Sequence, residues 1–159
     1  QVSGDAWVSG NARVFGNAWV FDDAWVSGNA RVCGNAQVYD DARVYGNAQV
    51  SGDAWVSGNA RVFGNARVCG DAWVYGNAHY IQIGPIGSRN DAITFFRTKE
   101  LHIAVKIGCF DGTIEEFEAK VKSTHRENDH AKAYMLAAQI ARTRIDLTPE
   151  KIKEEKDNE

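Results

Sequence analysis

Two aspartate pairs, Asp22–Asp23 and Asp40–Asp41, lie eighteen residues apart, and Asp5 precedes Asp23 by the same interval. Carboxylates gathered in this way suit Ca²⁺, a hard cation that takes six to eight oxygen ligands. Asp22, Asp23, Asp40 and Asp41 are therefore the candidate metal ligands, and calcium is the only cofactor expected. The alternative is a row of solvated turn residues, partly answered by arginines of a neighbouring chain. Ser88, Arg89 and Asn90 stand in a turn-rich stretch, Gly84-Pro85-Ile86-Gly87-Ser88-Arg89-Asn90-Asp91. Its amides, hydroxyl and guanidinium make a candidate anion-binding loop, although it lacks the Gly-x-x-x-x-Gly-Lys-Ser/Thr spacing of a phosphate loop; the alternative is a structural turn. Covalent chemistry has little support. On a regular strand His102 and Cys109 would point to opposite faces, and Cys109 reads better as a small core residue. His125, at a helix end, suits the helix dipole. No Cys/His spacing resembles a zinc site.

The elements that must position these groups are set by a repeat. Thirteen hexads read x-Val-x-Gly-Asn/Asp-Ala, with valine at every sixth position from Val2 to Val74 and alanine four residues after each. The fourth slot is Gly except at Asp22 and Asp40, and the fifth is always Asn or Asp. Side chains alternate across a strand, so Ala-x-Val points in, out and in. Gly followed by Asn or Asp then turns a corner, because these residues tolerate positive φ. A short strand and a tight turn every six residues predict a three-sided coil of eighteen residues, its coils stacked about 4.8 Å apart. Glycine at this frequency would cost a helix about 1 kcal/mol each time.

Residues eighteen apart then share a face. The outward slot before each valine forms three columns: Gln1, Trp19, Gln37, Trp55 and Trp73; Trp7, Trp25, Arg43, Arg61 and His79; and Arg13, Arg31, Gln49 and Arg67. Arg43, Arg61 and His79 are candidate ligand-binding residues. Trp7, Trp25, Trp55, Trp73, Arg13, Arg31 and Arg67 are candidates for an interface, since exposed Trp and Arg favour interfaces and stacked arginines call for an anion. Aromatic and Arg side chains also stack on bases, which makes a nucleotide one candidate ligand. The alternative is that the columns are ladders that stabilise the coil.

The segment Val-Ser-Gly-Asn-Ala-Arg-Val (residues 8–14) and its repetition through residues 1–78 resemble the hexapeptide repeat of the left-handed parallel β-helix superfamily, which includes many trimeric acyltransferases. The resemblance implies left-handed coiling and a homotrimer. The regular Gly-Asn-Ala form is similar to bacterial and phage-type hexapeptide proteins. Acyltransferases of the superfamily place active-site loops and a histidine in the coil; here the hexads have no insertions and the nearest histidine is His79, at the last coil.

The fold class expected is mainly β: a left-handed parallel β-helix of about four coils, capped by a small α+β domain. The repeat occupies residues 1–79, the cap 80–147 and a charged tail 148–159. Residues 80–83, 92–98 and 102–109 read as strands, the last two a hairpin around Thr98-Lys99-Glu100, with Asp111-Gly112 ending the sheet. Thr113-Ile114-Glu115-Glu116 is a capping box opening a helix with Ile114, Phe117 and Val121 inward. A second helix starts at Asn128 or Asp129 and runs to about Arg144, with Tyr134, Ala138, Ala141 and Ile145 on one face. The cap closes one end of the solenoid. The other end has no visible cap, and the chain opens on Gln1, so upstream residues or a partner are expected there.

The formal net charge of -3 gives no global pull toward nucleic acid or a membrane. No apolar run approaches the roughly 20 residues a bilayer requires, and no secretory signal is visible. Cys33, Cys69 and Cys109 are an odd set without close spacing, which suits a reducing, cytoplasmic location (the host's, if the chain is phage-encoded). The function expected is a non-enzymatic trimeric binding or scaffold protein that captures an anionic small ligand in subunit grooves. The alternatives are a phage-type nucleotide-sequestering protein, an acyltransferase, and a fibre or virion module.

Overall fold

The computed structural model describes residues 1–148. Of the tail expected at 148–159 only Thr148 is among them.

The repeat winds into a parallel β-solenoid of about four coils with three sheets. The tryptophan–arginine face holds β1 (Trp7–Val8), β4 (Trp25–Val26), β7 (Arg43–Val44) and β10 (Arg61–Val62). The arginine face holds β2 (Arg13–Val14), β5 (Arg31–Val32), β8 (Gln49–Val50) and β11 (Arg67–Val68). The tryptophan–glutamine face holds β3 (Trp19–Val20), β6 (Gln37–Val38), β9 (Trp55–Val56) and β12 (Trp73–Val74). Register follows the eighteen-residue coil, with Trp7 on Trp25 and Arg43 on Arg61.

Two-residue strands gain their order from stacking. Trp25 N–H donates to Ala42 O at 2.9 Å and Ser27 N–H to Val44 O at 2.9 Å, one coil above. Every repeat Ala and Val from Ala18 to Val74 has no exposed area. At the corners from Gly4 to Gly70 the first residue of the turn pair carries the positive φ: Gly46 lies at 68°, and a Cβ there would stand 3.0 Å from Gly64 N in the next coil. Asp22 and Asp40 hold the same left-handed geometry at 58° and 56°. The asparagine that follows has another role, which the repeat pattern alone did not reveal. Asn11, Asn29, Asn47 and Asn65 pass amide hydrogen bonds from coil to coil at 3.3, 3.3 and 3.4 Å along one edge. Asn17, Asn35 and Asp53 do the same along a second edge.

The chain leaves the solenoid through a short 3-10 turn at Asn77–His79 and enters an antiparallel sheet of β13 (Tyr80–Ile86), β14 (Asp91–Arg97), β15 (Ile103–Ile107) and β16 (Phe110–Thr113). Three boundaries correct the sequence reading. β13 continues to Ile86, so the loop contracts to a turn before Asp91. β15 stops at Ile107, because Gly108, at φ 52°, and Cys109 form a two-residue hairpin. Asp111-Gly112 therefore lies inside a fourth strand and does not end the sheet. His102 and Cys109 flank opposite ends of β15 and are not on its two faces.

β14 is covered on both sides. Ile93 and Phe95 join a core with α1 (Ile114–His125) and α2 (Asp129–Arg144), while Phe96 and Tyr80 extend the valine–alanine core. Thr113 caps α1 by accepting Glu116 N–H at 3.1 Å, and Asn128 caps α2 by accepting Ala131 N–H at 3.0 Å. Ile114, Phe117 and Val121 face inward as expected, as do Tyr134, Ala138, Ala141 and Ile145. No helix among the described residues is long and apolar enough to cross a membrane.

Val38 sits mid-solenoid against coils above and below. Val38→Ala removes two buried methyl groups and leaves a gap that the stacked coils cannot close, so it should lower unfolding free energy by about 2–3 kcal/mol. Urea denaturation followed by circular dichroism checks this.

Candidate functional site in the cap

The turn between β13 and β14 leans on α2. Gly87 (φ 75°) makes the approach possible: a Cβ there would overlap the Tyr134 phenol. The Gly108-Cys109 hairpin closes the same side. Between these turns and α1 lies a cavity of about 470 Å³. Its wall brings together Ser88 and Arg89 from the turn with Lys120 and His125 from α1. Its apolar part is an aromatic cluster, with Phe117 5.8 Å from Tyr134 and 5.9 Å from Phe110 between ring centres. His125 stacks 5.6 Å from Tyr134.

The charges there are of two kinds. Arg89 and Lys120 belong to no ion pair among the described residues. Of the acids, Asp91 accepts the Ala92 N–H at 2.8 Å, and Asp111 faces the Cys69 thiol 4.0 Å away. Burial, then Asp111, pushes the Cys69 thiol up to about 11, so it stays protonated and donates. Cys109 shares the wall with His125, and no hydrogen bond joins them among the described residues. The arrangement can bind an anion and pack an apolar group beside it.

The structure separates the residues expected to bind ligand. Ser88 and Arg89 line the cavity; Asn90 sits at positive φ in the turn and donates its N–H to Gly87 O at 3.2 Å. Arg43 and Arg61 lie elsewhere, on a shallow solenoid groove of about 210 Å³ with Trp25, Ser27 and Tyr45. His79 does not continue their column. The 3-10 turn swings it inward, where it is buried and accepts Tyr75 N–H at 3.2 Å through Nδ1. Burial, then the Arg97 charge, lowers its pKa to about 4, against an opposing pull from Asp146.

Among the expected interface residues, Trp55, Trp73 and Arg67 meet the chain's own cap. Lys99 Nζ stands 4.0 Å from the Trp55 ring centre, Arg97 covers Trp73 at 4.7 Å, and Arg67 donates to Gly108 O at 3.2 Å. Trp7, Trp25, Arg13 and Arg31 remain exposed. The aspartates form an edge, but among the described residues no three His, Cys, Asp or Glu side chains gather to hold a metal ion. Asp40 Oδ2 instead accepts Gly58 N–H at 3.1 Å. All three cysteines are free.

Arg97 was not singled out by the sequence. It is fully buried, donates through Nε to Trp73 O at 3.1 Å and through Nη1 to the Tyr75 hydroxyl at 3.3 Å, and faces the Tyr75 ring at 4.3 Å. Its Nη2 has no hydrogen-bond partner among the described residues. A cation following the run Ile93-Thr94-Phe95-Phe96 was the available signal.

A parallel solenoid closed at one end by an α+β cap defines the class: the chain is a β-solenoid repeat protein. Residues 6–22, and 36–76 through overlapping matches at 36–52, 48–62, 54–70 and 60–76, match the family model described as the YdcK beta solenoid repeat. The match lies wholly in the solenoid and agrees with the hexapeptide resemblance on a repeat β-helix. No curated protein and no solved structure matches the chain.

His79 yields a pH dependence. The folded protein refuses a proton that the unfolded chain accepts below pH 6.5, until about pH 4. Its stabilising contribution is complete above pH 6.5 and is lost as pH falls toward 4. The thermal midpoint should fall across that window, and His79→Gln should flatten the fall.

Proposed function

We propose that the protein is a non-enzymatic binding protein in which the solenoid is a rigid base and the cap cavity takes a small anion carrying an apolar or aromatic part. The observation that carries this reading is the convergence of Arg89 and Lys120, neither in an ion pair among the described residues, on one aromatic-walled cavity. Its volume, about 470 Å³, falls within the size range of small-molecule sites. Ser88 and the turn amides supply neutral donors, His125 a further polar contact, and the rings of Phe110, Phe117 and Tyr134 an apolar wall. A nucleoside monophosphate has this combination of phosphate and ring. Charge-assisted hydrogen bonds to phosphate contribute about 1.5–3 kcal/mol each.

Titration calorimetry with adenosine monophosphate, and with inorganic phosphate as the ring-free comparison, tests the reading. Binding is expected for the nucleotide, weaker binding for phosphate, and roughly tenfold or greater loss in Arg89→Ala and in Lys120→Ala. Absence of heat with both probes, or unchanged affinity in both variants, would remove the cavity as the site.

A further inference from the structure

Open rings and unanswered cations are concentrated on the tryptophan–arginine face. Trp7, Trp25, Arg43 and Arg61 stand in register, one to a coil and about 4.8 Å apart. Trp7 is 63% and Trp25 43% exposed, a large open ring area, and both arginines are exposed. A second row runs beside the first: Tyr45 and Phe63 stack at 5.3 Å with their planes 11° apart. Between the rows lies the groove of about 210 Å³ lined by Trp25, Ser27, Arg43, Tyr45 and Arg61. No acidic side chain lines it, and neither arginine belongs to an ion pair among the described residues. The other faces differ. Arg13 and Arg31 have one ring, Phe15, in their two hexads. On the tryptophan–glutamine face, Lys99 and Arg97 of the cap already cover Trp55 and Trp73.

We propose that this groove binds a short run of single-stranded nucleic acid. Aromatic rings and guanidinium planes are faces on which bases stack, and such stacking tolerates any base. Trp7, Trp25, Arg43 and Arg61 offer such faces at a fixed spacing, which suits a ligand whose own rings repeat along a chain. A lone nucleotide would leave most of the column unused. Arg43 lies over the Trp25 ring, 5.4 Å from its centre, so ring and charge are presented together.

The surrounding charges fix how the strand lies. Asp22, Asp23, Asp40 and Asp41 stand at the edge before the column. Beyond Ser27 and Tyr45 the opposite edge is neutral, formed by the amide ladder of Asn29 and Asn47. The phosphates therefore run on the Ser27–Tyr45 side, within reach of two guanidinium groups and a hydroxyl, with the bases over the rings. A duplex is excluded on two counts. Its base faces are spent in its own stack, and its second row of phosphates would meet the aspartates.

Fluorescence anisotropy of a fluorescein-labelled oligothymidylate of about eight nucleotides, titrated with the full chain, tests the groove. Binding is expected, and an oligouridylate should bind alike, since stacking and phosphate contacts are common to both. With one phosphate on each arginine, the logarithm of affinity should fall against that of salt with a slope of about -1.4. Trp25→Ala should weaken binding roughly tenfold and leave the slope unchanged. Arg43→Ala and Arg61→Ala should each weaken binding and reduce the slope by about 0.7. Arg13→Ala with Arg31→Ala should change nothing. The ring and charge variants are independent readouts should one fail to fold, as judged by circular dichroism. Binding of neither oligonucleotide, the result if a protein partner or second copy covers the groove, would overturn the proposal. So would affinity that survives both Trp25→Ala and Arg43→Ala, or equal competition by a duplex hairpin or by polyglutamate.

Discussion

Everything in this molecule rests on the registry of one coil on the next. A two-residue strand has no stability of its own; it persists because its backbone amides bond to the coil above and its valine joins a column of valines excluded from water. Those two demands fix the small side chains of the repeat. Alanine is the partner that fits beside valine in a narrow three-sided tube. Glycine suits the stacked corners that bring backbone against backbone, and only Asp22 and Asp40 stand in its place there. The asparagine amides on two edges stitch adjacent coils with further hydrogen bonds, one ladder ending on Asp53.

The cap matters because a stack of open coils ends in unpaired backbone and exposed valine. Phe96 and Tyr80 cover the last coil, and Thr94 takes up the Arg67 N–H at 2.8 Å. Arg97 lies at the centre of this joint. Burying a guanidinium is costly, and here the cost is offset by a carbonyl, a phenol and two aromatic faces of the solenoid. The segment after α2 returns to the same place, with Asp146 N–H donating to Ala78 O at 2.8 Å. The cap is therefore held at a fixed rotation on the rod. Its cavity is built from turns and a helix that this joint keeps in place.

The solenoid was readable in the sequence because its code is periodic: inward Val and Ala repeat without interruption, and the turn pair opens with glycine in all but two hexads, at Asp22 and Asp40. The helices of the cap were readable from Thr113 and Asn128 as caps and from the spacing of their apolar residues. The fourth strand was hidden, since the glycine that turns the chain, Gly108, follows an apolar run that looks like uninterrupted strand. His79 was misplaced because the hexad pattern continues nominally to it while the backbone has already turned toward the sheet. Half of the cavity, Ser88 and Arg89, carried a local loop signature. The other half, Lys120, His125 and Tyr134, joins it only through the packing of α1 and α2 on the sheet, which no local pattern encodes. Arg97 went unnoticed because its burial depends wholly on what the solenoid places opposite it.

Amide hydrogen exchange followed by NMR tests the registry most directly. The amides of Trp25, Ser27, Arg31, Cys33, Gln37 and Tyr39 each donate to the carbonyl seventeen residues further along the chain. They should exchange together and slowly, through a common opening of the stacked coils. Rapid exchange at these six, with protection confined to the cap, would contradict a solenoid held by coil-on-coil hydrogen bonds.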